Sequence, residues 1–156
     1  MTPIIKIITR SGGVMMLVTL SVLALILIKN KKIGASISLN LVIITGINLL
    51  LKNIIQRPRP VEFRLIDERG YSFPSGHSMV SVAFYGLIIY YIYKRMDNKK
   101  IKWCLITFLS VLVFLIGISR IYLGVHYTSD VIAGGLISIS YLVIYITILN
   151  KKVLKQ

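Results

Sequence analysis

The sequence predicts an all-α fold, a polytopic transmembrane helical bundle of five spans with its active site at the outer membrane interface. Three observations predict it. The first is composition: 56% of the 156 residues are hydrophobic and 15% are charged. An ordinary soluble domain is roughly 45–50% apolar and about 25% charged. The second is that five stretches, 11–28, 33–51, 70–93, 103–119 and 131–150, carry no charged residue. A spanning helix needs about 20 mostly apolar residues, and five such runs leave too little polar surface for a soluble fold. The third is that the runs do not alternate as the strands of a membrane barrel would. Backbone groups in lipid must pair internally, which favours helices. The high hydrophobicity also excludes a disordered chain. A single domain over residues 1–156 is expected, with no internal repeat.

The elements follow in chain order. Residues 1–11 (MTPIIKIITRS) are too short to span and lack a cleavage site, so a short interfacial helix is expected. Trimmed of their polar ends, the charge-free runs give spans at about 12–28, 33–51, 77–93, 103–118 and 131–149. The long connector 52–76 and the link 119–130 join them on one side. Tyr90, Tyr91 and Tyr93 end the third span and Trp103 begins the fourth, where an aromatic belt would lie. Cys104, the single cysteine, excludes an internal disulfide and is expected as a small core hydrophobe.

Lys and Arg outnumber Asp and Glu 19 to 5. Such an excess would ordinarily suggest nucleic acid, but the spans divide it. One side holds Lys29, Lys31, Lys32, Lys94, Arg95, Lys99, Lys100, Lys102, Lys151, Lys152 and Lys155 with one acid, Asp97. The positive-inside rule makes that side cytoplasmic, and no nucleic-acid partner is needed. The eight basic residues of the other side oppose the rule. Arg57, Arg64 and Arg69, taken singly, read as headgroup contacts. Lys52, Arg59 and Arg120 cluster with further polar residues and need another explanation.

Both histidines lie on this outer side. His77 ends Phe73-Pro74-Ser75-Gly76-His77. His126 follows Ser119-Arg120 and precedes Asp130 by four residues, a spacing that can bring a carboxylate to an imidazole nitrogen and fix its tautomer. Lys52, Arg59 and Arg120 offer permanent positive charge, and guanidinium forks match phosphate oxygens. Ser75 and the backbone at Gly76 add donors at a helix start, a ready anion site. The combination is phosphate binding with two imidazoles for nucleophilic and acid–base work. The outward-facing acids Glu62, Asp67, Glu68 and Asp130 form no metal-like cluster. No metal or other cofactor is expected, the cations standing where a two-metal site would use ions.

These segments resemble the three-part signature of the type 2 phosphatidic acid phosphatase superfamily, the integral-membrane lipid phosphate phosphatases. Lys52 through Arg59-Pro60 matches the first part, Pro74-Ser75-Gly76-His77 the second, and Ser119-Arg120 with His126 and Asp130 the third. The resemblance implies a helical-bundle core and metal-independent phosphate ester hydrolysis through a phosphohistidine. It implies His126 as nucleophile, Asp130 as its orienter and His77 as the acid for the leaving group. It assigns Lys52, Arg59, Ser75, Gly76 and Arg120 to the phosphoryl oxygens. Bacterial members usually have six spans against the five counted, the missing one preceding the first.

A site at the outer face of a bacterial plasma membrane suits an amphiphile, such as phosphatidylglycerophosphate, undecaprenyl diphosphate or phosphatidic acid. The motif residues bind the phosphate common to all three. Two other readings remain open from sequence: a phosphotransferase of the same superfamily, and a non-enzymatic channel or transporter subunit. Oligomeric state is not legible.

Overall fold

A computed structural model describes residues 2–152. Six helices follow one another: α1 Thr2–Ser11, α2 Val14–Leu27, α3 Lys31–Ile55, α4 Gly76–Arg95, α5 Lys99–Tyr122 and α6 Thr128–Lys152. The last residue of the expected basic tail, Lys155, lies outside the described residues. The helices overrun the expected spans by one to four residues at most ends, because polar and basic residues continue them beyond the apolar runs. Asn30 starts α3 by accepting from the amide of Lys32 at 3.1 Å, and Asn98 starts α5 by accepting from Ile101 at 3.2 Å. Both satisfy amides that a helix start leaves without partners. Gln56, in the left-handed region at φ 50°, ends α3.

By length and apolarity, three described helices can cross a membrane: Lys31–Ile55, Lys99–Tyr122 and Thr128–Lys151. A fourth span results if Pro3–Ser11 and Val14–Leu27, bent by 44°, are taken as one. Five apolar spans were expected; the one at 77–93 falls on α4, which is not among these. Its sequence, with His77, Ser78, Ser81 and four tyrosines, is less apolar than theirs. That polarity belongs to its place at the centre of the bundle. Met79, Ala83, Phe84 and Leu87 of α4 are fully buried, and α3, α5 and α6 pack round it.

The centre is also where polar groups find partners. Asn40 Nδ2 donates to the Ala83 carbonyl at 3.0 Å, and Ser138 Oγ to that of Met79 at 2.6 Å. Tyr91 was expected in the aromatic belt. It is buried instead, with its hydroxyl 2.6 Å from Ser36 Oγ. Tyr93 and Trp103 are exposed, as interface anchors would be. Cys104, expected in the core, is exposed on α5. The large apolar residues that face out, among them Met15, Val42, Phe108, Phe114 and Val143, give the bundle an apolar exterior suited to lipid.

Residues 2–11 form the expected short helix, and α1 packs on α5. At the bend, a Cβ on Gly12 would stand 2.6 Å from both Ile116 Cγ2 and Ser81 Oγ. The chain turns there by lying directly against α4 and α5.

Candidate active site

The site forms at the bundle end where α3 finishes, α4 begins, and α5 passes into α6. The connector between α3 and α4 folds over it. Two cations hold that connector by its carbonyls. Arg59 donates from Nε to Gly70 at 3.0 Å and from Nη2 to Arg69 at 3.1 Å. Lys52 Nζ donates to the carbonyl of Tyr71 at 2.5 Å. Leu65 N donates to the Leu123 carbonyl at 3.1 Å, tying the connector to the link after α5. Gly124 is required in that link. It sits at φ +70°, and a Cβ there would stand 1.4 Å from the Phe63 carbonyl oxygen.

His126 is buried in this link. Its Nε2 lies 3.2 Å from Arg59 Nη1. A guanidinium has donors only, so Nε2 presents its lone pair and the ring proton resides on Nδ1. Burial pushes the imidazole down to about 2, helped by the charges of Arg59, Arg120 and Lys52. The ring is therefore neutral at physiological pH.

Asp130, fully buried in the first turn of α6, was expected to pair directly with His126. Its Oδ2 is 3.6 Å from Nδ1, too far for a hydrogen bond. The carboxylate turns instead toward nearer donors. Oδ2 accepts from Ser72 Oγ at 2.5 Å and from the Tyr127 amide at 3.0 Å, and Oδ1 accepts from Arg57 Nη1 at 2.7 Å. Arg57 is thus a partner of the site rather than the headgroup contact expected. It also stands 4.1 Å over the Tyr127 ring.

Arg120 is 1% exposed. It donates to Thr9 Oγ1 of α1 at 2.9 Å and to Glu68 Oε1 at 2.6 Å. Its buried Nε has no partner among the described residues. The other Glu68 oxygen lies 3.9 Å from Arg59 Nη2. A carboxylate thus bridges two of the expected phosphate ligands. Burial alone would raise the Glu68 carboxyl; the hydrogen bond and charge of Arg120, with the charge of Arg59, overcome it and hold it low.

Ser75 is buried. Its amide donates to the Asp130 carbonyl at 3.1 Å, and its hydroxyl accepts from Ser78 Oγ at 3.0 Å. At Gly76, a Cβ would come 3.1 Å from Asn48 Oδ1 and 4.0 Å from Lys52 Cε. A side chain there would fill the approach to the helix start. His77 faces two cavities. One of about 690 Å³ is shared with Thr9, Glu68 and Arg120. The other, of about 490 Å³, runs between α2 and α3 and is lined by Leu17, Val18, Leu41, Val42 and Leu49.

Lys52, Arg59, Ser75, Gly76, His77, Arg120, His126 and Asp130 therefore converge on one end of the bundle, the Ser75 amide and hydroxyl oxygen having partners within the protein. Sequence reasoning missed Thr9, Arg57, Glu68 and Ser72 as partners. Their only signal was that each is polar on the outer side. Among the described residues, no three His, Cys, Asp or Glu side chains gather as a metal ion would require. The arrangement can bind a tetrahedral oxyanion among fixed donors and present a neutral imidazole lone pair to it.

The family model described as PAP2 superfamily matches residues 31–154. Phosphatidylglycerophosphatase B of Bacillus subtilis (strain 168) is 42% identical over 89 residues, 56% of this chain and 44% of that protein. An undecaprenyl-diphosphatase of Sulfolobus acidocaldarius is 32% identical over 138 residues, 83% of this chain and 62% of that protein. The chain thus spans about half the length of these relatives. Among solved structures, the PAP2-type phosphatidylglycerolphosphate phosphatase of Bacillus subtilis superposes with a TM-score of 0.88 at 30% identity. The match covers 99% of this chain and 79% of that one. Aquifex aeolicus LpxE gives 0.74 at 26% identity, over 92% and 84%.

Proposed function

Because this chain belongs to the PAP2 superfamily, we propose that it hydrolyses a membrane lipid phosphate or diphosphate, without a metal, through a phosphohistidine at His126. The observation that carries this is the Nε2 lone pair of a buried, neutral His126, held 3.2 Å from the Arg59 guanidinium. A phosphoryl group drawn to Arg59 is thereby brought to the nucleophile.

In the proposed reaction Nε2 attacks phosphorus, and the bond to the leaving oxygen breaks with its electron pair on that oxygen. His77, across the cavity with Arg120, supplies the proton. An arriving phosphate dianion favours the protonated form of a nearby imidazole. Arg59, Arg120 and Lys52 stabilise charge spread over the equatorial oxygens. His77 then takes a proton from water, which cleaves the phosphohistidine N–P bond.

The substrate reading is phosphatidylglycerophosphate or undecaprenyl diphosphate, with phosphatidic acid third. Relatives named for the first two match the chain. The apolar cavity between α2 and α3 supports an amphiphile, since it meets His77 and can take a chain while the phosphate lies at Arg120. We place the site at the outer face. Lys31, Lys32, Lys94, Arg95, Lys99 and Lys151 all lie at the opposite helix ends, and the positive-inside rule puts those in the cytoplasm. The exposed Val61 and Phe63 on the connector suit a headgroup layer.

The test is phosphate release from these three lipids by purified protein in detergent. His126→Ala is expected to lower kcat by at least about 10³-fold, and EDTA to leave the wild type active. Wild-type rates in the His126 variant would overturn the mechanism, and abolition by EDTA the metal-free reading.

A further inference from the structure

We infer that Ser72 is a positioning residue for His126, its hydroxyl closing a triangle with the imidazole Nδ1 and Asp130 Oδ2 and relaying the carboxylate's hold to the ring. Ser72 lies outside the three motif segments, on the connector, and is fully buried. Its Oγ is 2.5 Å from Asp130 Oδ2 and 3.4 Å from His126 Nδ1, while those two atoms stand 3.6 Å apart.

Donor bookkeeping sets the direction of the chain. Arg59 donates to Nε2, so Nδ1 bears the ring proton. A carboxylate only accepts, and a serine hydroxyl has one proton and two lone pairs. That proton goes to Asp130, so Ser72 can meet Nδ1–H only as an acceptor. The sequence of bonds is Nδ1–H to Oγ, then Oγ–H to Oδ2. The backbone fixes the hydroxyl in place, because the Ser72 amide donates to the Arg57 carbonyl at 2.8 Å. Arg57 itself holds the far oxygen of Asp130 at 2.7 Å. Both ends of the serine–carboxylate contact are therefore anchored by one residue. As Nε2 bonds to phosphorus, positive charge grows on the ring, and a fixed acceptor at Nδ1 stabilises it.

The kinetic half of this inference rests on the histidine mechanism proposed above; the structural half does not. Ser72→Ala, Asp130→Asn, the double variant and Ser72→Thr would be compared in detergent. The Nδ1–H resonance of ¹⁵N-histidine-labelled protein would be followed in each, His77→Gln assigning the two rings. Ser72→Ala is expected to broaden or lose the His126 Nδ1–H signal and to lower kcat about 10- to 100-fold, with KM nearly unchanged. Ser72→Thr is expected to restore the signal. Adding Asp130→Asn to Ser72→Ala is expected to cost little more than either alone, as for residues acting in one chain. An unchanged Nδ1–H signal in Ser72→Ala overturns the inference even if kcat falls, since that marks a merely structural residue. Additive losses overturn it too. Should Ser72→Ala fail to fold, Ser72→Cys, a weaker acceptor of similar size, carries the same expectations. A wild type that releases no phosphate sinks the functional reading instead, and the resonance then decides the placement of Ser72 alone.

Discussion

Glu68 Oε1 lies 2.6 Å from Arg120 Nη2, so a carboxylate of the protein occupies one of the guanidinium edges that the proposed reaction gives to phosphate. Both groups are charged, and only one anion can hold that edge at a time. Glu68→Gln removes the competing charge. Inorganic phosphate is expected to inhibit this variant about 3- to 10-fold more strongly than the wild type, in line with the strength of charge-assisted hydrogen bonds. An unchanged or weaker inhibition constant would show that Glu68 does not compete.

Arg57 holds Asp130 from the side opposite Ser72, at 2.7 Å, and rests on the Tyr127 ring. Arg57→Met leaves the buried carboxylate with one fewer donor. Breaking such a pair is expected to lower kcat by about tenfold and KM by much less. Arg64→Met is the control, since Arg64 donates to the Pro60 and Arg59 carbonyls. Equal losses in the two variants would count against a specific role for Arg57.

His126 stays neutral in the folded protein far below the ordinary imidazole range. Its ring signals are therefore expected not to titrate between pH 8 and pH 4. The sign for stability follows from a depressed folded value: the unfolded chain gains a proton near pH 6.5 that the folded chain refuses. The contribution of His126 is present above that pH and is lost as pH falls below it. The fall in Tm below pH 6 is expected to be shallower in His126→Gln. A ring that protonates near pH 6.5 in the native protein would contradict this.

Gly124 and Gly135 separate two kinds of glycine. Gly124 has positive φ and lies under the Phe63 carbonyl, whereas a Cβ on Gly135 meets nothing within 4 Å. Gly124→Ala is expected to destabilise the protein by about 1–3 kcal/mol or more and to reduce activity by displacing the connector. Gly135→Ala is expected to be neutral or slightly stabilising. Thermal melts in detergent measure both, and similar melting of the two would refute the distinction.

The sequence made legible what is local. Charge-free runs announced α2, α3, α5 and α6, since residues that meet lipid must be apolar. The motif spacings placed Lys52 at the end of α3 just ahead of Arg59 in the connector, and His126 just ahead of the first turn of α6 that carries Asp130. α4 was placed correctly as a helix, but its serines and tyrosines, spent on contacts inside the bundle, lower its apolarity below that of a lipid-facing span. Contacts across the chain were not legible. Thr9 reaches Arg120 over 111 positions, and Ser72 reaches Asp130 over 58. Nothing in either neighbourhood encodes the partner. Cys104 was misplaced because an apolar run does not say which of its faces packs inward.

The bond between Thr9 and Arg120 bears on how the protein is made. The first helix leaves the ribosome long before the fifth exists, and its threonine waits through more than a hundred residues of synthesis for its partner. His126 and Asp130 emerge later still. The proposed site is therefore completed only after most of the bundle has been made. A nascent chain holds Lys52 and Arg59 early, yet lacks the histidine on which the proposed reaction depends.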